Sequence, residues 1–157
     1  MRGTLVSLNV STGGVPKLPI REAVISGSGV AGDRQRDLKW HGGPQRAVSL
    51  LALAVIRELQ AAGHPITPGS TGENLTVDGL TPEQLAPGAR LRIGSGPDAV
   101  ELQLTTWLEP CAKIGNSFTG RRFVLLAHKT TACRSRVGAL VVVPGTVRTG
   151  DVVELLT

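Results

Sequence analysis

The chain has 157 residues, of which 41% are hydrophobic and 18% charged, so we expect one globular domain over residues 1–157 with a buried core. Its net charge is +5, a balance that suits nucleic acid or small anions. Two Phe, two Trp and no Tyr leave few surfaces on which bases could stack, so nucleic-acid binding is the least favoured class. Because no apolar run is long enough to span a bilayer and the N-terminus lacks a signal-peptide core, we expect a cytoplasmic protein with no membrane partner.

Strand signals open the chain and one helix signal follows. Gly3–Val10 and Ile20–Ser26 carry the apolar and alternating character of strands, and each ends at a glycine-rich turn. From Ser49 onward apolar residues recur at intervals of four, which predicts one longer helix over about 49–62 that ends near Gly63.

Short strands separated by Gly and Pro turns dominate the rest of the chain. Six are predicted, at Asn74–Val77, Arg90–Ile93, Val100–Thr106, Phe123–Leu126, Gly138–Val143 and Val152–Leu156. Thr81–Gln84 begins with Thr-Pro-Glu, which predicts about one helical turn. Many short strands with one solid helix indicate a mainly β fold, a β-barrel with a few short helices.

The segment Gly32–Val48 concentrates charged side chains and a histidine around a Gly-Gly-Pro turn, directly before an apolar stretch. Polar groups held against a rigid core element are typical of a small-anion or cofactor site. Each residue also has an ordinary alternative. His41 could simply pin the loop by hydrogen bonds, and Arg46 could form a surface ion pair with Asp33 or Asp37. Asn74 could be an ordinary turn residue that leads into a strand.

Two cysteines, Cys111 and Cys133, form no metal-binding spacing, and a cytosolic setting argues against a disulfide between them. Either could be a small buried apolar side chain. Cys111, however, follows Glu109-Pro110 directly after an alternating strand, which places its thiol at the strand's end. Lys113 and other basic groups near it would favour the thiolate, the form that attacks sulfur or binds a soft metal. Cys133 lacks such a setting and is interpreted as structural.

Four blocks of sequence then stand in order along the chain. They are Gly32-Asp33-Arg34-Gln35, His41-Gly42-Gly43-Pro44-Gln45-Arg46-Ala47-Val48, Thr71-Gly72-Glu73-Asn74-Leu75-Thr76 and Pro110-Cys111-Ala112-Lys113. Together they resemble the MOSC domain, which is named for the C-terminal domain of molybdenum cofactor sulfurases. The segment Pro144–Asp151 is also typical of it. The similarity is closest to small free-standing members, whose relatives protect cells against N-hydroxylated bases.

The resemblance implies a barrel-like fold and a molybdenum–pterin cofactor. Cys111 would be the catalytic residue and the metal ligand, or would carry sulfur as a persulfide, and Asn74 would contact the cofactor. The phosphate of the pterin would bind guanidinium groups and backbone amides. The remaining cofactor-binding residues are then expected to be Arg34, His41, Gly42, Gly43, Arg46 and Lys113. In the amidoxime-reducing branch Arg-Pro precedes the asparagine, whereas this chain has Gly72-Glu73. The sulfurase's pyridoxal phosphate domain is missing, so pyridoxal phosphate is not expected.

Three functions follow as hypotheses. The first is reduction of small N-hydroxylated substrates, with electrons from a partner protein because the chain has no flavin or iron–sulfur motif. The second is a sulfur carrier in which a cysteine desulfurase loads Cys111. The third and least favoured is a basic barrel that binds nucleic acid.

Overall fold

The computed structural model describes residues 1–34 and 43–157. Within them, one α-helix and eleven strands are formed. The strands are β1 (Arg2–Val10), β2 (Leu18–Ile20), β3 (Glu22–Ser26), β4 (Gly29–Val30), β5 (Val48–Ala52), β6 (Leu75–Asp78), β7 (Arg90–Ile93), β8 (Val100–Leu108), β9 (Arg136–Val143), β10 (Gly145–Arg148) and β11 (Val152–Leu156). The helix α1 is Leu53–Ala61, and 3₁₀ helices span Pro44–Arg46, Gly96–Asp98, Ala112–Ser117, Thr119–Arg121 and Phe123–Leu126. No helix of this described part is both long and apolar enough to cross a membrane.

Seven of these strands close into a barrel, which confirms the predicted fold class. Their order is β11-β7-β8-β9-β5-β6-β1, and pairing of β1 with β11 completes the ring. Every junction in the ring is antiparallel except β5–β6, which α1 and a long loop connect. β2 extends from β1, and β10, β3 and β4 form a separate three-stranded sheet. The predicted alternation of apolar and polar residues in β8 is confirmed, because the side chains of Val100, Leu102 and Leu104 are buried in the core.

The predicted helix over about 49–62 is correct for its second part and wrong for its first. Val48–Ala52 is strand β5, and α1 begins only at Leu53. Four of the five β5 residues are buried, because the strand lies between β6 and β9 in the barrel wall. A strand buried on both faces is a continuous apolar run, and such a run cannot be told from a buried helix by periodicity.

The structure also corrects the predicted type or bounds of three other secondary-structure elements. Phe123–Leu126 is a 3₁₀ helix rather than a strand. Ile20–Ser26 contains the end of β2 and all of β3, because the chain bends at Arg21. A further strand, β10, begins at Gly145, where only a turn was expected. The strands Arg90–Ile93 and Val152–Leu156 are confirmed with their predicted bounds.

Candidate functional site

Cys111 lies just beyond the end of β8, as the sequence predicts. It caps the N-terminus of the 3₁₀ helix Ala112–Ser117, and its carbonyl oxygen accepts a hydrogen bond from the amide of Ile114 at 3.1 Å. The thiol is half-buried and forms no disulfide. A half-buried free cysteine therefore lies directly after a strand of the barrel wall.

Arg136, the first residue of β9, joins the turn before Cys111 to a second loop. Its side chain is buried, with 8% of the residue exposed. Nη1 donates to the carbonyl oxygen of Thr71 at 2.7 Å, and Nη2 donates to that of Glu109 at 3.2 Å. Nε is buried without a hydrogen-bond partner among the described residues. The guanidinium fork thus fixes two segments that lie far apart in sequence.

Glu73 brings a carboxyl group into the same buried region. It is fully buried, and its Oε1 accepts the amide of Gly69 at 2.6 Å while Oε2 accepts the hydroxyl of Thr71 at 3.0 Å. Burial raises the pKa of Glu73 to about 7, although the Thr71 hydrogen bond and the charge of Arg136 both oppose that rise. Glu73 therefore changes its charge close to neutral pH.

Three neighbouring groups influence Arg136 electrostatically, namely Glu73, Cys111 and Glu109. Burial lowers the pKa of Arg136, and the three neighbouring groups raise it in that order of importance. The cysteine sulfur, the guanidinium and the buried carboxyl thus form one electrostatic group, which we call the Cys111–Arg136–Glu73 cluster. A buried guanidinium in such a cluster favours anionic ligands at this site.

The sequence interpretation missed Arg136 and read Glu73 only as a departure from a family pattern. The available signal for Arg136 was a cationic residue at the entrance to the apolar run Val137–Val143. A charged residue in that place has to find partners when the strand is buried. Those partners lie 65 and 27 positions away in sequence, so the strand pattern alone does not identify them.

Asn74 uses its side chain to bind other parts of the protein. Its residue is 1% exposed. Oδ1 accepts the amide of Ser49 at 3.1 Å, and Nδ2 donates to the carbonyl oxygen of Asn9 at 3.2 Å and to Oδ2 of Asp33 at 2.9 Å. Asn74 therefore holds β1, β5 and Asp33 in register. A contact between Asn74 and a cofactor remains a prediction.

We expect Ser49→Ala to lower the free energy of unfolding by about 1 kcal/mol. The Ser49 hydroxyl accepts the Asn74 amide at 3.1 Å and lies 3.3 Å from Oδ1 of Asn74. Ser26→Ala is the matched control because its hydroxyl pairs with that of Ser28 at the surface. Urea unfolding of both variants measures the difference. Equal stability of the two variants would show that this hydroxyl does not help to hold Asn74.

Asp33 forms a buried ion pair with Lys17, whereas Asp37, the other acid considered as a partner of Arg46, lies outside the described residues. The Lys17 Nζ to Asp33 Oδ2 distance is 2.5 Å, with side-chain exposures of 4% and 6%. Oδ1 of Asp33 accepts the amide of Ser11 at 3.0 Å. Nearby, Gly69 has φ +83, and a Cβ there would collide with the Lys17 carbonyl oxygen. The loop that presents its amide to Glu73 therefore requires glycine at this position.

The other predicted site residues lie on separate loops. Arg34 is exposed and donates its amide to the Ser11 carbonyl oxygen at 2.8 Å. Gly43 has φ +79 and precedes the 3₁₀ helix that ends with Arg46, whose side chain passes beside Gly138 of β9. Lys113 is exposed in the 3₁₀ helix after Cys111. The described hydrogen bonds join neither Arg34 nor Lys113 to Cys111 through their side chains.

His41 and Gly42, also predicted to bind the cofactor, lie outside the described residues. Among the residues that are described, no group of three or more His, Cys, Asp and Glu side chains is arranged to hold a metal ion.

Comparisons with known proteins agree with this architecture. The family model described as the MOSC domain matches residues 37–154. Among curated relatives, YflK of Bacillus subtilis is 32% identical over 119 residues, which are 74% of this chain and 52% of that protein. YiiM of Escherichia coli is 30% identical over 142 residues, which are 87% of this chain and 60% of that protein. The chain thus spans little more than half the length of these relatives.

Solved structures share the fold over nearly the whole chain. The YUAD protein from Bacillus subtilis superposes with a TM-score of 0.77 at 19% identity, covering 99% of this chain and 96% of that one. YiiM from Escherichia coli superposes with a TM-score of 0.70 at 24% identity, covering 100% of this chain and 70% of that one.

Proposed function

Because the chain belongs to the MOSC domain family, we propose that it binds a molybdenum–pterin cofactor through Cys111 and reduces small N-hydroxylated substrates with electrons from a partner protein. The observation that carries the proposal is the Cys111–Arg136–Glu73 cluster, in which a half-buried free cysteine follows the Glu109-Pro110 turn that the buried Arg136 guanidinium holds. Soft thiolate suits a thiophilic metal better than oxygen-preferring cations.

The described residues fit such a cofactor in their donor chemistry. Cys111 supplies one sulfur ligand, and the cofactor brings the other ligands of its metal with it. Arg136 holds the Glu109-Pro110 turn through its bond to the Glu109 carbonyl oxygen, so the sulfur is presented from a fixed backbone. Its Nε is a buried donor that has no hydrogen-bond partner among residues 1–34 and 43–157. When bound, the cofactor would supply the redox centre for a two-electron reduction.

The phosphate group of the cofactor is anionic, so it would bind cationic side chains and backbone amides. Arg34 and Lys113 are exposed and Gly43 is a loop glycine, and in the proposal these residues, together with Arg46 at the end of the Pro44–Arg46 helix, contact the phosphate group. Asp33 would act indirectly, because its buried pair with Lys17 fixes the backbone that leads to Arg34.

Bound molybdenum tests this proposal directly. The full chain is expressed in a host that makes the cofactor, and molybdenum per protein is measured by inductively coupled plasma mass spectrometry. We expect close to one metal per wild-type chain and a loss of at least tenfold in Cys111→Ser. Cys133→Ser is the matched control and should keep its molybdenum. Metal-free wild-type protein, or equal loading of Cys111→Ser, would contradict the proposal.

The sulfur-carrier function is the second candidate, and the same free thiol favours it. A persulfide on Cys111 would be anionic, and Arg136 provides a fixed positive charge near it. Incubation with a cysteine desulfurase and cysteine should add one sulfur, about 32 Da, to wild-type protein and none to Cys111→Ser. Intact-mass measurement decides the point, and an unchanged wild-type mass would exclude this function for the tested donor.

A further inference from the structure

The excess positive charge of the chain is concentrated in one segment. Residues 110–135 lie between β8 and β9 and include 5 Lys or Arg residues and no Asp or Glu. The full chain has 17 Lys and Arg and 12 Asp and Glu, so the residues outside this segment carry 12 of each. The whole net charge of +5 therefore belongs to this segment, which we call the β8–β9 connection. Cys111 is its second residue.

Most of these cations are exposed and lack a carboxylate partner. Among residues 1–34 and 43–157, no ion pair reaches the exposed side chains of Lys113, Arg121, Arg122 and Lys129. The fifth cation, Arg134, contacts Glu58 of α1, which attaches the connection to that helix. Glu109 is exposed and directly precedes the connection. Two carboxylates beside five cations leave this surface with a net positive charge.

Arg121 is fixed against the turn that begins with Cys111. Its Nη2 donates to the carbonyl oxygen of Ala112 at 2.7 Å, and its Nη1 donates to Oδ1 of Asn116 at 2.8 Å. Gly115 leaves room for the guanidinium, because an added Cβ there would lie 2.6 Å from Cζ of Arg121. Since Ala112 directly follows Cys111, one positive charge of the connection is held beside the cysteine turn.

The second half of the connection returns to β8 through an aromatic contact. The His128 ring stacks on Trp107 of β8 with a centroid distance of 4.7 Å and an interplanar angle of 11°. Nδ1 of His128 also accepts the amide of Cys133 at 2.8 Å. Lys129 directly follows His128, and Trp107 precedes Cys111 by four positions. Cations from both halves of the connection therefore lie near the end of β8 at which Cys111 is found.

This surface suits an acidic protein better than a nucleic acid. Val124 lies between Arg122 and Lys129 in the connection and is 51% exposed, and an apolar residue among charged ones is typical of a protein interface. Single-stranded nucleic acids need exposed aromatic rings on which bases stack. Phe118 of this connection is buried, and one face of Trp107 is covered by His128.

We propose that the β8–β9 connection is the docking surface for a small acidic electron-donor protein, in which carboxylates surround a flavin or an iron–sulfur group. The inference rests on the proposed function, which takes its electrons from a partner protein. Because Cys111 belongs to the connection, a protein bound there brings its redox group close to the cysteine turn. Opposite charges on the two surfaces accelerate association and orient the partner.

Binding of purified redox proteins to the full chain tests the inference. The probes are an acidic flavodoxin and an acidic [2Fe–2S] ferredoxin, and calorimetry measures their dissociation constants at low salt and at about 0.3 M NaCl. We expect at least one probe to bind the wild type and to bind more weakly as salt rises. Arg122→Glu/Lys129→Glu should weaken that binding by about tenfold or more at low salt.

Arg2→Glu/Arg21→Glu is the matched control, because it changes the net charge equally at exposed positions outside the connection. It should bind within about threefold of the wild type. Urea unfolding should show that both double variants fold as the wild type does. Equal weakening in both variants, or no binding of either probe to the wild type, would overturn the inference. Tighter binding of a single-stranded DNA oligonucleotide than of either protein would overturn it in favour of nucleic acid.

Molybdenum content of the same proteins separates this inference from the proposed function. Neither Arg122 nor Lys129 is a proposed cofactor-binding residue, so their double variant should load molybdenum as the wild type does. Salt-dependent docking that this variant loses, in a chain that never loads molybdenum, contradicts the cofactor proposal alone. Normal loading together with docking that the variant retains contradicts the docking inference alone.

Discussion

Arg136→Met is expected to lower the free energy of unfolding by about 2–5 kcal/mol, because each buried polar group left without its hydrogen-bond partner costs about 1–3 kcal/mol. The substitution removes the donors of the Thr71 and Glu109 carbonyl oxygens. It also takes away the charge that opposes the desolvation of Glu73. Since the methionine side chain has a similar length, the loss reflects charge and hydrogen bonding rather than a large cavity.

The cost of Arg136→Met should depend on pH. At pH 8 Glu73 is left ionised and buried without its cation, whereas at pH 5 it can take up a proton and become neutral. The destabilisation is therefore expected to be larger at pH 8. Arg148→Met is the matched control, because Arg148 pairs with Glu22 at the surface with about half of each side chain exposed. Such pairs contribute about 0–1 kcal/mol.

Urea unfolding of the wild type and both arginine variants measures these differences. The double variant Glu73→Gln/Arg136→Met should recover part of the lost stability, because it no longer buries an unpaired carboxylate. Equal stability of Arg136→Met and Arg148→Met would show that the Arg136 bridge does not stabilise the barrel.

The free energy of unfolding of the wild type is expected to fall as pH rises, and Glu73→Gln is expected to abolish this pH dependence. Burial raises the folded-state pKa of Glu73 from its ordinary value of 4.5 to about 7, so the folded protein binds this proton more tightly than the unfolded chain does. Stability therefore falls as pH rises from 4.5 to 7 and stays low above that range. Between pH 5 and pH 8 the wild type should lose about 2–3 kcal/mol relative to Glu73→Gln.

The measurement is the free energy of unfolding of both proteins at pH 5, 6, 7 and 8. Glu83→Gln provides the control, since Glu83 is exposed and its substitution should leave a curve parallel to that of the wild type. If Glu73→Gln also gives a parallel curve, Glu73 does not titrate in this interval in the folded protein.

Local sequence patterns are sufficient to predict those elements whose type does not depend on burial by strands from elsewhere in the chain. The bounds of β7 and β11 follow from the turns that come before them, Pro87-Gly88 and Thr149-Gly150-Asp151. The position of Cys111 follows from an alternating strand that Pro110 ends. The start of α1 did not follow, because the run from Val48 to Ala52 is buried by strands β6 and β9, which come later in the chain. Burial of that kind is a property of the closed barrel.

The sequence predicts the position of Cys111 in the candidate site, but it does not predict which charged and polar side chains surround it. Arg136 contacts Thr71 across 65 positions and Glu109 across 27 positions, and both contacts depend on the order of strands in the barrel. Asn74 was identified as a site residue, but its partners Asn9, Ser49 and Asp33 come from three other segments. Hydrogen bonds between such distant groups are fixed by tertiary structure, so residue spacing does not reveal them.

Glu73 and Asn74 are consecutive in the chain, yet their side chains serve different networks. Glu73 faces Arg136 and through it the cysteine turn, and Asn74 faces Asp33 at the base of the segment that begins with Arg34. A single peptide group therefore connects the two mechanically. Any shift of that peptide along or across the barrel moves both networks together. The hydrogen bonds of Asp33 and the turn at Glu109-Pro110 therefore both depend on the placement of the one peptide bond between residues 73 and 74.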